Sequence, residues 1–192
     1  MNVLDVAENS VAAGATLVAI TLAQNSLTAN ATRLDILIRI DHEKDNLSIT
    51  LADNGKGMAP DFLKSVTSPF TTTRTTRKVG LGLPFLKMAA EMTGGALSIE
   101  STVGKGTCVT AWFTLGHIDL APLGDMSATV AGLIQCSPDI DFVYTVQADG
   151  EQFAADTREL RAVLDGVPSV ALWLREYLAE NTEQLLQKEN AV

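Results

Sequence analysis

Three glycine-bearing stretches carry the side chains that could do chemistry: "AENSVAAGA" at 7–15, "DNGKGM" at 53–58 and "KVGLGLPF" at 78–85. In the third, Gly80 and Gly82, with Leu81 and Leu83, lead into a helix. The first turn of a helix offers unsatisfied N–H groups and a partial positive charge that suit phosphate. Just upstream lie Arg74, Arg77 and Lys78, a basic run in a chain whose formal net charge is −9. Such a run alone is a solvated face; beside a glycine-rich helix start it gains weight as an anion site. Asp53 ends an alternating apolar run and can accept a hydrogen bond from an exocyclic amine. Gly55 and Gly57 let a planar base lie close to the backbone. Asn9 supplies a neutral amide oxygen, a hard ligand suited to Mg2+ that already carries phosphate oxygens and water. Asp5, one turn earlier on the same helix face, can orient water or polarise a nucleophile. Each motif by itself also has a plainer reading: a hairpin turn, an amphipathic helix, a loop-to-helix junction.

The elements that must position these residues follow from periodicity. Val3, Val6, Ala7 and Val11 recur at helical spacing and Gly14 ends the run. "TLVAITLAQ", "RLDILIRID" and "NLSITLAD" read as strands, rich in β-branched and aliphatic residues. "MAPDFLKSV" reads as a short helix with Pro60 in its first turn. Residues 67–80 have no apolar periodicity and are thick with threonine, a functional loop in a packed domain. "LGLPFLKMAAEMTGG" is a helix closed by Gly94 and Gly95, and "ALSIEST" and "TCVTAWFTL" are strands joined by "VGKG". A seam falls at 117–124. Beyond it "DMSATVAGLIQ" is helical, "DIDFVYTVQADGEQFAAD" is a hairpin with Asp149 and Gly150 at its tip, and two helices close the chain. The last helix carries Val170, Leu174, Leu178 and Leu185 on one side, with Trp173 beside them. That face needs a cover, from the chain's own core or from a partner. "GATLVAITL" is faintly echoed in "NATRLDILI".

With 192 residues, 46% of them hydrophobic, the chain can bury one sizeable core with a small appended subdomain. Its acidic balance argues against non-specific binding to nucleic acid or anionic membranes. Cys108 and Cys136 make no disulfide framework and are expected as buried free thiols. Two histidines exclude a His-rich metal site. No signal peptide and no run approaching a bilayer span is present, so a soluble, cytoplasmic protein is the expectation.

In this order the motifs resemble the GHKL superfamily, the ATP-binding domains of histidine kinases, anti-sigma serine kinases, gyrase B subunits and MutL. "DVAENSVAAGA" resembles the asparagine-bearing helix and is especially similar to MutL in "ENS" and "AGA". "DNGKGM", closed by Met58, resembles the first glycine box and "GLGL" at 80–83 the second. Phe70 in "SPFTTTR" matches the lid-anchoring phenylalanine. "MTGGALSIESTVGKGTCVTAWF" is similar to the closing passage of histidine-kinase catalytic domains, which sets Thr107 near the adenine-binding aspartate. The resemblance implies an α/β fold: a two-layer sandwich of Bergerat type over 1–118, a mixed sheet with helices on one face. Residues 119–192 form a small α+β extension packing on that core or on a partner. It implies ATP and Mg2+ as cofactors, with Asn9 on the metal. It implies Asp53 on the adenine amine, while the basic run itself points to Arg74 and Arg77 as catalytic contacts to the terminal phosphate, with Lys78 beside them.

Asp5 stands where the hydrolysing members carry glutamate, one methylene longer. Glu8, beside Asn9, points about 100° away on a helix. Neither His42 nor His117 has the setting of a phosphoacceptor, so phosphotransfer in trans to a separate protein is expected rather than autophosphorylation. "QNSLTANATRLDILIRID" lengthens the passage before Asp53, and extra strand or loop is expected there. A stand-alone signalling kinase or ATPase, an ATP-driven dimer clamp of the MutL kind and a non-catalytic nucleotide sensor all remain open. A protein partner and a possible homodimer go with them.

Overall fold

The computed structural model of the protein describes residues 20, 23, 25, 26, 28–66, 82–164 and 170–187. Six strands form one sheet: β1 (Arg33–Asp41), β2 (Asn46–Asp53), β3 (Ala96–Thr102), β4 (Gly106–Thr114), β5 (Asp141–Ala148) and β6 (Glu151–Asp156). Their spatial order is β3-β4-β2-β1-β5-β6. Every pairing is antiparallel except β1 with β5, so the sheet is mixed. Helices with defined bounds among the described residues are α1 (Pro60–Leu63), α2 (Gly82–Met92), α3 (Met126–Cys136), α4 (Thr157–Leu164) and α5 (Val170–Gln187).

Strand alternation sorts the sheet into two faces. One row runs Ile99, Val109, Leu51, Ile36, Tyr144, Ala155 across all six strands, and the next runs Leu97, Ala111, Ile49, Ile38, Val146, Phe153. These side chains share one core with Leu83, Leu86 and Ala90 of α2, Val130 and Leu133 of α3, and Leu174, Leu178 and Leu185 of α5. The opposite face carries short polar contacts instead, Arg33 with Asp35 and Thr50 with Thr110. This is the two-layer α/β arrangement expected from the motifs. The α+β extension continues the same sheet, because β5 adds to β1 through eight paired positions from Arg33↔Asp141 to Ile40↔Ala148. His42 fastens the turns on top: its N–H donates to Asp149 Oδ1 at 2.9 Å and its Nδ1 lies 2.7 Å from Oδ2. The apolar face of α5 is covered from within, with Leu174, Leu178 and Leu185 buried and Trp173 stacked on Tyr177.

Two expectations are corrected. "TLVAITLAQ" does not form a strand at its described positions: Ile20 and Ala23 are helical, as are Asn25, Ser26 and Thr28 beyond it. Ile20, Ala23 and Ser26 are buried at a spacing of three, so burying one helix face outweighs the β propensity of the branched residues. Cys136 is exposed at the end of α3, and Cys108 is only half-buried on the open face of β4.

Asp156 joins β6 to α4. Its carboxylate accepts the Arg158 N–H at 2.9 Å and pairs with the Arg158 guanidinium, which holds its pKa down from the ordinary 3.8 to about 2. A depressed carboxylate contributes stability above its unfolded pKa and loses it as pH falls through the folded one. Asp156→Ala is therefore expected to cost about 1 kcal/mol at neutral pH, as capping residues do. In thermal melts the gap between variant and wild type should narrow as pH drops from about 4 toward 2.

Candidate functional site

Asp53 is the last residue of β2 and faces the same side as the core. Its cross-strand row runs Ser101, Thr107, Asp53, Leu34, Phe142. Polar groups on β2, β3 and β4 thus continue into apolar ones on β1 and β5, so a carboxylate is held at the rim of an apolar layer. Asp53 Oδ1 accepts the Gly55 N–H at 2.8 Å, an Asx turn that sets the start of the glycine loop. Asp53 Oδ2 accepts the Ser26 hydroxyl at 2.9 Å. Ser101 Oγ accepts the Met58 N–H at 2.8 Å, lies 3.0 Å from the Gly106 carbonyl and 2.9 Å from Thr107 Oγ1. If the one Ser101 proton goes to that carbonyl, Thr107 donates to Ser101 and keeps only lone pairs for anything bound beside it.

The loop after β2 is tied on both sides. Asn54 Oδ1 accepts the N–H groups of Thr32 and Arg33, each at 2.9 Å, and its Nδ2 donates to Thr32 Oγ1 at 2.8 Å. The Lys56 N–H reaches the Ala29 carbonyl at 2.9 Å, and the Lys56 carbonyl accepts the Gly104 N–H at 2.8 Å. A Cβ on Gly55 would stand 2.8 Å from the Ala29 oxygen, and one on Gly57, whose φ is +65°, 2.1 Å from the Thr102 oxygen. Both glycines are therefore required by the loop's own packing against protein backbone, a reason distinct from room for a base.

Gly82 is the first residue of α2, and Leu83 and Met58 pack at the core edge. The structure thus brings Asp53, Gly55, Gly57, Met58 and Thr107 to one end of the sheet. Asp5, Asn9, Phe70, Arg74, Arg77, Lys78, Gly80 and Leu81 lie outside the described residues. A groove of about 570 Å3 at the far end of the sheet is lined by Arg39 against Asp41, Glu43, Asp149 and Glu151. That excess of negative charge repels a triphosphate. Among the described residues no group of three or more His, Cys, Asp or Glu could hold a metal ion, and no helix is long and apolar enough to cross a membrane.

Ser26, Asn54 and Ser101 were not anticipated from the sequence. A signal for Ser26 was present: "AQNSLTANAT" at 23–32 repeats "AENSVAAGAT" at 7–16, identical at Ala, Asn, Ser, Ala, Ala and Thr. The second copy puts Asn25 where the first has Asn9. Asn25 is exposed on the helix that delivers Ser26 to Asp53, and its carbonyl accepts the Ala29 N–H at 3.0 Å. Asn30, with φ 57°, ends that helix where the first copy has Gly14.

A family profile described as "Histidine kinase-, DNA gyrase B-, and HSP90-like ATPase" matches residues 11–117, which excludes Asp5 and Asn9 and includes Asn25. The chain is 41% identical to the sensor histidine kinase ZraS of Salmonella typhimurium over 68 residues, 35% of this chain and 14% of that protein. It is 29% identical to the sensor histidine kinase ZraS of Escherichia coli over 109 residues, 57% of this chain and 23% of that protein. The matched stretch is thus under a quarter of either relative's length. A crystal structure of the N-terminal domain of a DNA repair protein shares the fold, with a TM-score of 0.56 over 84% of this chain and 59% of that one at 16% identity. With the profile covering more than half its length, the chain belongs to the histidine kinase-, DNA gyrase B- and HSP90-like ATPase family.

Proposed function

We propose that this chain binds Mg-ATP with its adenine on Asp53 and serves as a signalling kinase or ATPase acting on a separate protein. The observation that carries the reading is the Asp53 carboxylate, fixed by two hydrogen bonds at the rim of the apolar layer with Thr107 and Ser101 in the same row. An ionised carboxylate only accepts, so it takes the exocyclic amine of adenine and rejects the carbonyl that guanine presents there. Arg74, Arg77, Lys78 and the N–H groups around Gly80 to Gly82 are the candidates for the phosphates. For the metal, Asn25 is preferred over Asn9, since it sits on the helix that touches Asp53 and inside the family match. Mg2+ would neutralise phosphate charge there; Asn25 would hold it by its amide oxygen.

Asp5 lies four residues before Asn9, and Thr21 lies four before Asn25. If Asn25 holds the metal, the place of the water-activating carboxylate falls to a hydroxyl, which is a poor base, and turnover by water is slow. That favours transfer to a protein acceptor, or sensing, over rapid hydrolysis. Calorimetry with and without Mg2+ tests the assignment. Asn25→Ala is expected to lose the Mg2+-dependent part of ATP affinity, about tenfold or more, while Asn9→Ala keeps it. The reverse result moves the metal to Asn9 and revives Asp5 as the activating group. A wild-type protein that binds neither nucleotide, or ATP and GTP equally, overturns the adenine reading. Incubation with γ-labelled ATP then separates the reactions: label on an added partner means a kinase, free phosphate an ATPase, neither a sensor.

A further inference from the structure

Resting on the adenine reading above, we propose that Ser26 is a positioning residue that sets base selectivity by holding the Asp53 carboxylate in its amine-accepting orientation. Ser26 is 4% exposed, and its hydroxyl donates to Asp53 Oδ2 at 2.9 Å. It is delivered rigidly, because Ile20 and Ala23, six and three residues before it, are 4% and 2% exposed and anchor the same helix face. Oδ1 is fixed separately by the Gly55 N–H at 2.8 Å.

The torsion that turns a carboxylate about its Cβ–Cγ bond is broad, so one hydrogen bond alone leaves the plane free to swing. Two bonds on different oxygens define the plane. Of about four lone-pair sites on an ionised carboxylate, these bonds use two and leave the others directed by the protein rather than by solvent. Removing the Ser26 hydroxyl leaves Asp53 in place but releases its plane, and an amine must then order the carboxylate as it binds.

The test compares ATP with purine riboside triphosphate, which lacks the 6-amino group and so cannot report on Asp53. Calorimetry on wild type, Ser26→Ala and Ser26→Thr gives the affinity ratio of the two nucleotides for each. Wild type is expected to prefer ATP. Ser26→Ala should lose about tenfold in ATP affinity, the scale of one hydrogen bond to a charged group. Its affinity for purine riboside triphosphate should stay within about twofold, so the ratio collapses, and Ser26→Thr should restore it by keeping a hydroxyl. Equal losses for both nucleotides in Ser26→Ala would mean that the serine only supports the fold, and an unchanged ratio would mean that Asp53 needs no second anchor; either overturns the proposal while leaving the adenine reading intact. A wild type with no preference for ATP overturns both.

Discussion

Asp53→Asn is expected to abolish useful ATP binding, with a loss of about a hundredfold or more measured by calorimetry against Mg-ATP. The carboxylate presents acceptors to two protein donors, Ser26 and the Gly55 N–H, and would present a third acceptor to the adenine amine. An amide of the same shape can satisfy the Gly55 N–H with its oxygen, but its NH2 then faces the Ser26 hydroxyl and the incoming amine. Hydrogen-bonding sites left unmatched against a substrate cost roughly 2–4 kcal/mol, far more than the loss of a neutral contact. GTP should not gain what ATP loses by the same factor, because the amide also lacks the geometry to bond the rest of guanine. The folded protein should survive, since Asp53 sits at the end of β2 and its backbone pairing to Thr107 and Leu34 is untouched. Retained ATP affinity in this variant, with an unchanged melting temperature, would remove Asp53 from the site.

Ending the chain after residue 118 is expected to leave it insoluble or unfolded rather than as a smaller working domain. Such a truncation deletes β5, whose Phe142, Tyr144 and Val146 are among the most fully buried side chains, together with Leu174 and Leu178 of α5. Each such burial stabilises by about 1.5–3 kcal/mol. Losing five of them, and baring Leu34, Ile36, Ile38 and Ile40 on β1, exceeds the roughly 5–15 kcal/mol that a domain has in hand. Expression of the truncated chain, followed by far-UV circular dichroism and size exclusion, checks this. A soluble, cooperatively melting fragment that binds Mg-ATP would show that the extension is a separable module.

The strands were readable from the chain because alternation is local: "RLDILIRID", "NLSITLAD" and the hairpin after the seam are β1, β2, β5 and β6. So was α2, announced by its glycine-rich start and closed by Gly94 and Gly95, and so was the place of Asp53 at the end of β2. What failed was nonlocal. In "TLVAITLAQ" the branched residues weigh toward strand, and only the burial of Ile20, Ala23 and Ser26 on one face reveals the helix. The partner of Asp53 is Ser26, 27 residues earlier, and no spacing rule links a helix serine to a strand-end carboxylate. The first "ENS" carries the fuller motif, with Gly14, whereas the second, "QNS", ends at Asn30, which takes a left-handed turn without glycine. The addition of β5 to β1 rather than to an outer strand likewise has no local signal.

That addition has a consequence for how the protein is made. Across the β1–β5 pairing, Arg39 and Gln147 meet 108 positions apart. A ribosome adding about 5–20 residues per second therefore takes roughly 5–20 s to supply the second neighbour of β1. Through that interval β1 has only β2 beside it, and one row of its backbone donors and acceptors, flanked by isoleucines, is open to any passing strand. High sequence separation between paired strands also slows the search itself. Yield in cells should thus depend on temperature and chaperone supply more steeply than the stability of the finished protein would suggest, with the nascent edge of β1 as the point of failure.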